Sequence, residues 1–170
     1  MKAVLMSIQP RWCELIASGK KTVEVRKTKP KLEVPFKVYI YETQGRTETP
    51  FVDEEGHHIF KGRGQVIGEF VCDKIITAKI GSYFTIPVSE SQIDALDLMD
   101  YADDKPVYGW HISNLVIYDK PKELSQVLNR KQAEKCVNHC EHNGMCQYCE
   151  EIRPPQSWCY VEEVEQCRMN

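Results

Sequence analysis

Short segments in which apolar and polar residues alternate recur along this chain, and they constrain its fold more than any other feature. In residues 22–27, two valines alternate with Thr22, Glu24 and Arg26. Because successive side chains of a strand point to opposite faces, this pattern predicts a strand with one polar face. Further strands are predicted at residues 2–8, 36–42, 65–74, 107–118 and 157–163.

Helices are fewer than strands, and the strands lack the regular spacing of β-α-β units. One helix is expected over residues 10–18, with Pro10 in its first position and Gly19 ending it. A second is expected over residues 89–99, with Ser89 as its N-cap and Gln92 at the capping-box position. A short one begins at Pro121. The pattern therefore predicts an α+β fold, a mixed β-barrel with attached helices.

The overall composition fits one domain over residues 1–165 and a short tail, 166–170, in a chain of 170 residues with a net charge of −3. Its apolar runs are too short for a membrane span, and no secretory signal pattern follows Met1. A cytoplasmic protein without membrane association is expected. The global charge excludes a polybasic tail. Residues 20–37 nevertheless hold seven Lys and Arg against two Glu, a local charge of +5 that suits an anion.

Cysteines concentrate near the end of the chain, where six of the eight fall in the last 35 residues. Four of them lie in a polar, Cys-rich insertion at residues 129–151: Cys136, Cys140, Cys146 and Cys149. Two close pairs joined by a turn can supply the tetrahedral ligand set of a structural zinc ion, in which His139 or His142 could replace one thiolate. A disulfide pattern and reduced free thiols are the alternatives. No organic cofactor is expected.

The segment from Gly19 to Arg26 reads Gly-Lys-Lys-Thr-Val-Glu-Val-Arg and resembles the G-x-K-x-x-E-x-R signature of the ASCH domain, a branch of the PUA-like superfamily. The blocks 65–73, 108–124 and 153–163 are similar to later characteristic blocks of that family. The resemblance spans residues 1–128 and 152–165. It implies a PUA-like β-barrel with a cleft beside the signature hairpin, where RNA or a nucleotide-like ligand binds.

In such a cleft, Lys and Arg would hold phosphate, while Glu and Gln would contact a base edge or a ribose hydroxyl. Tryptophans would supply a stacking surface, and a place in the core is the alternative for each of them. The candidate ligand-binding residues are Gln9, Arg11, Lys20, Lys21, Glu24, Arg26, Glu69, Trp110, Gln156 and Trp158.

An enzyme on the same scaffold is the alternative function. Some small bacterial members of the family deacetylate N4-acetylcytidine with a Lys, a Thr and a Glu. The resemblance maps the Lys to Lys21 and the Glu to Glu69. The Thr does not carry over, because Glu24 occupies its position and Thr22 lies elsewhere in the motif. Thr22 and Glu24 are further candidates for a catalytic role in such an enzyme. By chemistry alone, a desolvated Lys21 suits a nucleophile or base, and Glu69 on an apolar strand suits a general acid or base. A ribonuclease would use the same pair.

Two hypotheses in which the cleft has no function stay open. Lys21, Glu24 and Arg26 would then form an ion-pair network on a solvated strand face. Alternatively, the Cys-rich loop would be the contact surface of a protein-interaction module. The oligomeric state is not determined by the sequence.

Elemental analysis of the purified protein is expected to give about one zinc per chain. The reason is that a bound metal would fold a loop of about twenty residues with few apolar side chains of its own. A folded preparation that contains no metal would contradict this prediction.

Overall fold

A computed structural model describes residues 1–44, 62–79, 81, 85–128 and 153–164 of the chain. The elements in chain order are β1 (Lys2–Ile8), α1 (Pro10–Ala17), β2 (Val23–Arg26), β3 (Phe36–Glu42), β4 (Gln65–Ala78), α2 (Val88–Ser91), α3 (Ala95–Ala102), β5 (Val107–Lys122), α4 (Leu124–Val127) and β6 (Trp158–Glu162). The predicted strands are all present. β4 and β5 run longer than predicted because they pair with each other as two long antiparallel strands.

The described strands form one mixed sheet with the order β2-β5-β4-β3-β1-β6. β1 and β3 are parallel, and the other neighbouring pairs are antiparallel. β1 is an interior strand, and its apolar residues 3–6 are fully buried. Coverage on both faces explains why this strand has a continuous apolar run instead of alternation.

The predicted barrel is wrong in its closure, because β2 and β6 remain the two edges of the sheet within the described residues. Side chains nevertheless bring these edges together. The indole Nε1 of Trp158 donates to Oγ1 of Thr28 at 2.9 Å, and the backbone N–H of Lys31 donates to the Tyr160 hydroxyl at 2.8 Å. The rings of Trp158 and Trp110 pack with centroids 5.8 Å apart. The sheet is therefore curled and open, with a seam between β2 and β6.

The two faces of the sheet carry separate cores. Val38 packs with Trp110 in the core of one face, here called the inner face. The next residue, Tyr39, packs in the core of the outer face. Residues paired in register across adjacent strands share a face. Glu24, opposite Trp110, therefore lies on the inner face, and Glu69, opposite Tyr39, lies on the outer face.

Helix α1 confirms the predicted start and end. Pro10 is its first residue, and Gly19 follows the helix with a φ of +72°, which glycine adopts without strain. Cys13 and Ile16 form the buried face of the helix. None of the helices in the described part of the chain has the length and apolarity needed to cross a bilayer.

The second predicted helix is wrong in its boundaries, because two short helices replace it. Gln92 adopts a left-handed conformation with a φ of +57° and ends α2, in which Ser89 is an interior residue. Asp94 is the N-cap of α3, and its carboxylate accepts hydrogen bonds from the backbone N–H groups of Leu96 and Asp97, both at 2.9 Å. A capping residue needs extended backbone, which Asp94 has and Ser89 lacks.

Asp94→Ala is expected to lower the free energy of unfolding by about 1 kcal/mol, because two backbone donors of α3 lose their acceptor. Ser89→Ala is the matched control, and we expect it to leave stability unchanged. Urea unfolding monitored by circular dichroism measures both variants. A loss on Ser89→Ala that equals the loss on Asp94→Ala would contradict the assignment of the cap.

Candidate functional site

A cavity of about 450 Å³ lies at the seam of the sheet. Its walls come from α1, from β2, from the α2–α3 segment and from the loop before β6. A volume of this size lies in the range of small-molecule sites. The lining residues are Ser7, Gln9, Arg11, Trp12, Lys21, Glu24, Val25, Arg26, Thr43, Ile93, Asp97, Tyr101 and Gln156.

Lys21 reaches the cavity from the turn that Gly19 makes after α1. The backbone N–H of Lys21 donates to the Leu15 carbonyl at 2.9 Å. The next N–H, that of Thr22, donates to the Glu90 carbonyl at 2.8 Å. The backbone is thus fixed to α1 on one side and to α2 on the other. As a result the Lys21 side chain is fully buried, which is rare for lysine.

Glu24 lies between two cations on the floor of the cavity. Its Oε2 is 3.5 Å from Nζ of Lys21, and its Oε1 is 2.9 Å from Nη2 of Arg26. Only 7% of the Glu24 side chain and 11% of the Arg26 side chain are exposed. Each cation also has a carbonyl acceptor: Lys21 Nζ donates to Ser91 in α2, and Arg26 Nη2 donates to Ser7 in β1 at 2.6 Å. This group of charges therefore joins β2 to α2 and to β1.

Burial lowers the pKa of Lys21 below that of a free lysine, because it penalises the ammonium form. The Glu24 carboxylate opposes this shift, while Arg26 and Arg11 reinforce it. The Nε–H of Arg26 is buried and has no hydrogen-bond partner among the described residues. A buried donor of this kind needs an acceptor, which a bound ligand or an ordered water would supply.

Aromatic rings form two walls of the cavity. The Arg11 guanidinium lies 4.1 Å from the centroid of the Trp12 ring, and Nζ of Lys21 lies 4.7 Å from it. From α3, Tyr101 contributes a second ring, with Nζ of Lys27 at 5.1 Å. Burial raises the pKa of Tyr101, so its hydroxyl is a neutral hydrogen-bonding group near neutral pH. The walls thus combine aromatic faces with cations, an arrangement suited to a planar ligand.

The structure brings together six of the ten candidate ligand-binding residues. Those that line the cavity are Gln9, Arg11, Lys21, Glu24, Arg26 and Gln156, and those that do not are Lys20, Glu69, Trp110 and Trp158. Lys20 is exposed, Trp110 is fully buried in the inner core, and Trp158 packs against that core. For both tryptophans, the core position that the sequence left as an alternative is the one observed. Thr22 is half-buried and does not line the cavity.

Glu69 lies on the outer face and belongs to a different ion pair. Its Oε1 accepts a hydrogen bond from Nζ of Lys37 at 2.9 Å, and its Oε2 accepts one from the Tyr118 hydroxyl. Burial acts to raise the pKa of Glu69, but the hydrogen bonds from Lys37 and Tyr118 outweigh it and lower that pKa. The predicted cleft that holds both Lys21 and Glu69 is therefore corrected: the acid beside Lys21 is Glu24.

Sequence analysis missed the wall that the α2–α3 segment contributes. Ile93, Asp97 and Tyr101 line the cavity although they follow Lys21 by more than seventy positions. No local pattern connects them with the signature segment. A buried lysine does require a hydrogen-bond acceptor, but the sequence could not indicate that Ser91 supplies it.

The predicted zinc ligands lie outside the described residues, as does the whole insertion at 129–151: Cys136, Cys140, Cys146, Cys149 and the alternatives His139 and His142. In the described ranges, no group of three or more His, Cys, Asp or Glu residues is arranged to hold a metal ion. The zinc site stays a prediction.

Comparison with known proteins identifies relatives of this chain. The family model of the ASCH domain matches residues 6–167. A solved structure of ASCH from Zymomonas mobilis is 20% identical, with a TM-score of 0.60 over 95% of this chain and 88% of that chain. A Tyr-to-Phe mutant of that protein matches at 19% identity and a TM-score of 0.61, over 96% of this chain and 93% of its own. A search of curated protein sequences gives no significant match.

Glu24→Gln is expected to destabilise the protein by about 3–5 kcal/mol, because it leaves two buried cations without an anion. Lys21→Met is the matched comparison. It removes one cation while Glu24 keeps its bond to Arg26, so we expect a loss of only about 1 kcal/mol. Urea unfolding near neutral pH measures both losses. Equal losses would contradict the arrangement in which one buried carboxylate serves two cations.

Proposed function

This chain belongs to the ASCH domain family, and we propose that its seam cavity binds a nucleotide-like ligand, either free or as part of RNA. The family has a PUA-like fold that is often associated with RNA binding. One observation carries the proposal: a buried carboxylate between two cations on the floor of a cavity of about 450 Å³ with an aromatic wall.

The floor of the cavity offers both hydrogen-bond acceptors and hydrogen-bond donors to the edge of a base. Glu24 accepts hydrogen bonds from amino or imino groups, as carboxylates do when they contact bases. The unpartnered Nε–H of Arg26 donates to a ring nitrogen or a carbonyl oxygen. Gln9 and Gln156 at the cavity walls can each donate and accept. A flat heterocycle with adjacent donors and acceptors satisfies this set.

The aromatic wall supplies the second element of recognition. Trp12 presents its ring to the cavity and is partly covered by the Arg11 guanidinium at 4.1 Å. Because the guanidinium is in contact with the ring, a base that stacks on this face of Trp12 would displace Arg11 toward the rim. Base–aromatic stacking contributes about 1–3 kcal/mol for each base.

Hydrolysis in the same cavity is the second candidate function, and the lowered pKa of Lys21 favours it. In its deprotonated form, the Lys21 amine beside a bound base can accept a proton or attack a carbonyl. The acid available to it is Glu24 at 3.5 Å, and Glu69 on the outer face is not. Turnover of N4-acetylcytidine or of RNA that survives Glu69→Gln and is lost on Lys21→Met would assign this activity. The protein-interaction alternative depends on residues outside those described.

Trp12→Leu is expected to weaken the tightest ligand of a panel of nucleosides, nucleotides and short RNAs by about tenfold, because the base loses its stacking surface. Fluorescence anisotropy or calorimetry on the folded variant measures the change. Leucine keeps the apolar contact of Trp12 with the inner core.

Tyr108→Leu is the matched control, since Tyr108 is also half-buried against the inner core but does not line the cavity. We expect this variant to bind like the unmodified protein. The proposal fails if no member of the panel binds, or if both variants lose affinity to the same extent.

A further inference from the structure

We infer that the acidic surface of α3 keeps polynucleotide strands out of the cavity, so that its ligand is a single nucleoside or nucleoside monophosphate. This inference rests on the proposed function and narrows it to a class of small ligand. It follows from three features of the charge distribution. These are the carboxylate on the cavity floor, the dispersal of the basic residues of 20–37, and the opposite charges of the two sides of the rim.

The floor of the cavity is unsuited to a phosphate. The charges of Lys21 and Arg26 are already directed at the Glu24 carboxylate, at 3.5 Å and 2.9 Å. A phosphate on the floor would lie close to that carboxylate in a buried environment, where repulsion between like charges is strong. The neutral, polar end of the ligand therefore enters first, and any phosphate stays at the rim.

The basic stretch at residues 20–37 does not assemble into one surface for a phosphate backbone. Lys37 lies on the outer face in its pair with Glu69. Lys27 and Lys29 lie over the rings of Tyr101 and Tyr108, at 5.1 Å and 5.4 Å. The local charge of +5 is thus divided between the two faces of the sheet and the cavity floor. Among the described residues, a strand of RNA would find no continuous row of cations, on which backbone binding depends.

The rim of the cavity is basic on the α1 side and acidic on the α3 side. Arg11 is the exposed cation in the lining, and Asp97 is the exposed anion. Asp97 is one of five aspartates in residues 94–104, all of them exposed. Lys105 and Lys27 offset part of this charge, and both act on Asp103. The α3 side therefore remains acidic, and the place left for a phosphate is beside Arg11.

The unequal charge of the two sides of the rim favours a single nucleotide over a longer strand. A nucleoside monophosphate has one phosphate and can place it on the Arg11 side. A nucleotide within a strand has a phosphate on each side of its sugar, so one of the two flanks must pass the aspartates of α3. Repulsion between exposed like charges acts over about 10 Å at moderate salt, which is enough to reach the flanking phosphates.

The test compares the four ribonucleoside 5′-monophosphates with the single-stranded heptamers of the same four bases, by calorimetry at about 50 mM salt. We expect the tightest monophosphate to bind at least about tenfold more tightly than the heptamer of its base. We also expect heptamer affinity to change little with added salt, whereas ordinary RNA binding weakens steeply.

The deciding variant is Asp100→Asn/Asp103→Asn/Asp104→Asn, which removes three carboxylates of the segment but none of the lining residues. Asp103 and Asp104 have positive φ angles of +52° and +54°, a conformation that asparagine also adopts readily. The variant is expected to bind the heptamer about as tightly as the monophosphate, with monophosphate affinity unchanged. The matched control, Glu33→Gln/Asp119→Asn/Glu162→Gln, removes three exposed carboxylates elsewhere and is expected to retain the discrimination.

The outcomes separate this inference from the proposal on which it rests. A heptamer that binds the unmodified protein as tightly as its monophosphate overturns the inference and leaves nucleotide binding in place. An unchanged ratio in the Asp-to-Asn variant also overturns it. If neither monophosphates nor heptamers bind, the proposed function itself fails, and the inference fails with it.

Discussion

The buried carboxylate of Glu24 is the interaction on which the rest of the site depends. Removing a charge from water is costly, and the cost is met only where opposite charges and hydrogen bonds surround it. Here Lys21 and Arg26 surround it, and each of them also binds a backbone carbonyl, of Ser91 and of Ser7. The same contacts that compensate the charges therefore hold α2 and β1 against β2, and these elements form the walls of the cavity.

A second, partly buried ion pair lies on the opposite face of the sheet, and its chemistry differs from the first. Lys37 and Tyr118 saturate Glu69, whose pKa is lowered by their hydrogen bonds despite burial. Of the two basic neighbours of Glu24, Lys21 has a lowered pKa, and Arg26 has a buried Nε–H that finds no hydrogen-bond partner among the described residues. The Glu69 pair is thus satisfied within the protein, whereas the Glu24 group leaves hydrogen-bonding capacity for a ligand. The sheet separates a structural pair from a candidate binding group.

Local patterns predicted what local forces determine. The alternation in 36–42 predicts both ends of β3 to the residue, and Pro10 and Gly19 predict where α1 begins and ends. Both predictions succeed because strand faces and helix ends depend on neighbouring residues. The strand that carries Glu24 and Arg26 was predicted together with its polar face. The sequence favours Ser89 as a cap because the left-handed turn at Gln92 has no reliable sequence signal. The wall from α3 and the separation of Glu69 depend on contacts between distant segments, which a single sequence does not specify.

The open seam explains why a cavity exists where it does. In a closed barrel, backbone hydrogen bonds would join β2 to β6, and strands about 5 Å apart leave no space for a ligand. In the described part of this sheet, side chains farther along join the edges, such as Trp158 to Thr28. Between those bridges and α1, the polar face of β2 meets Ser7 and Gln156 across a gap. The unpaired edge of the sheet is therefore what creates the cavity.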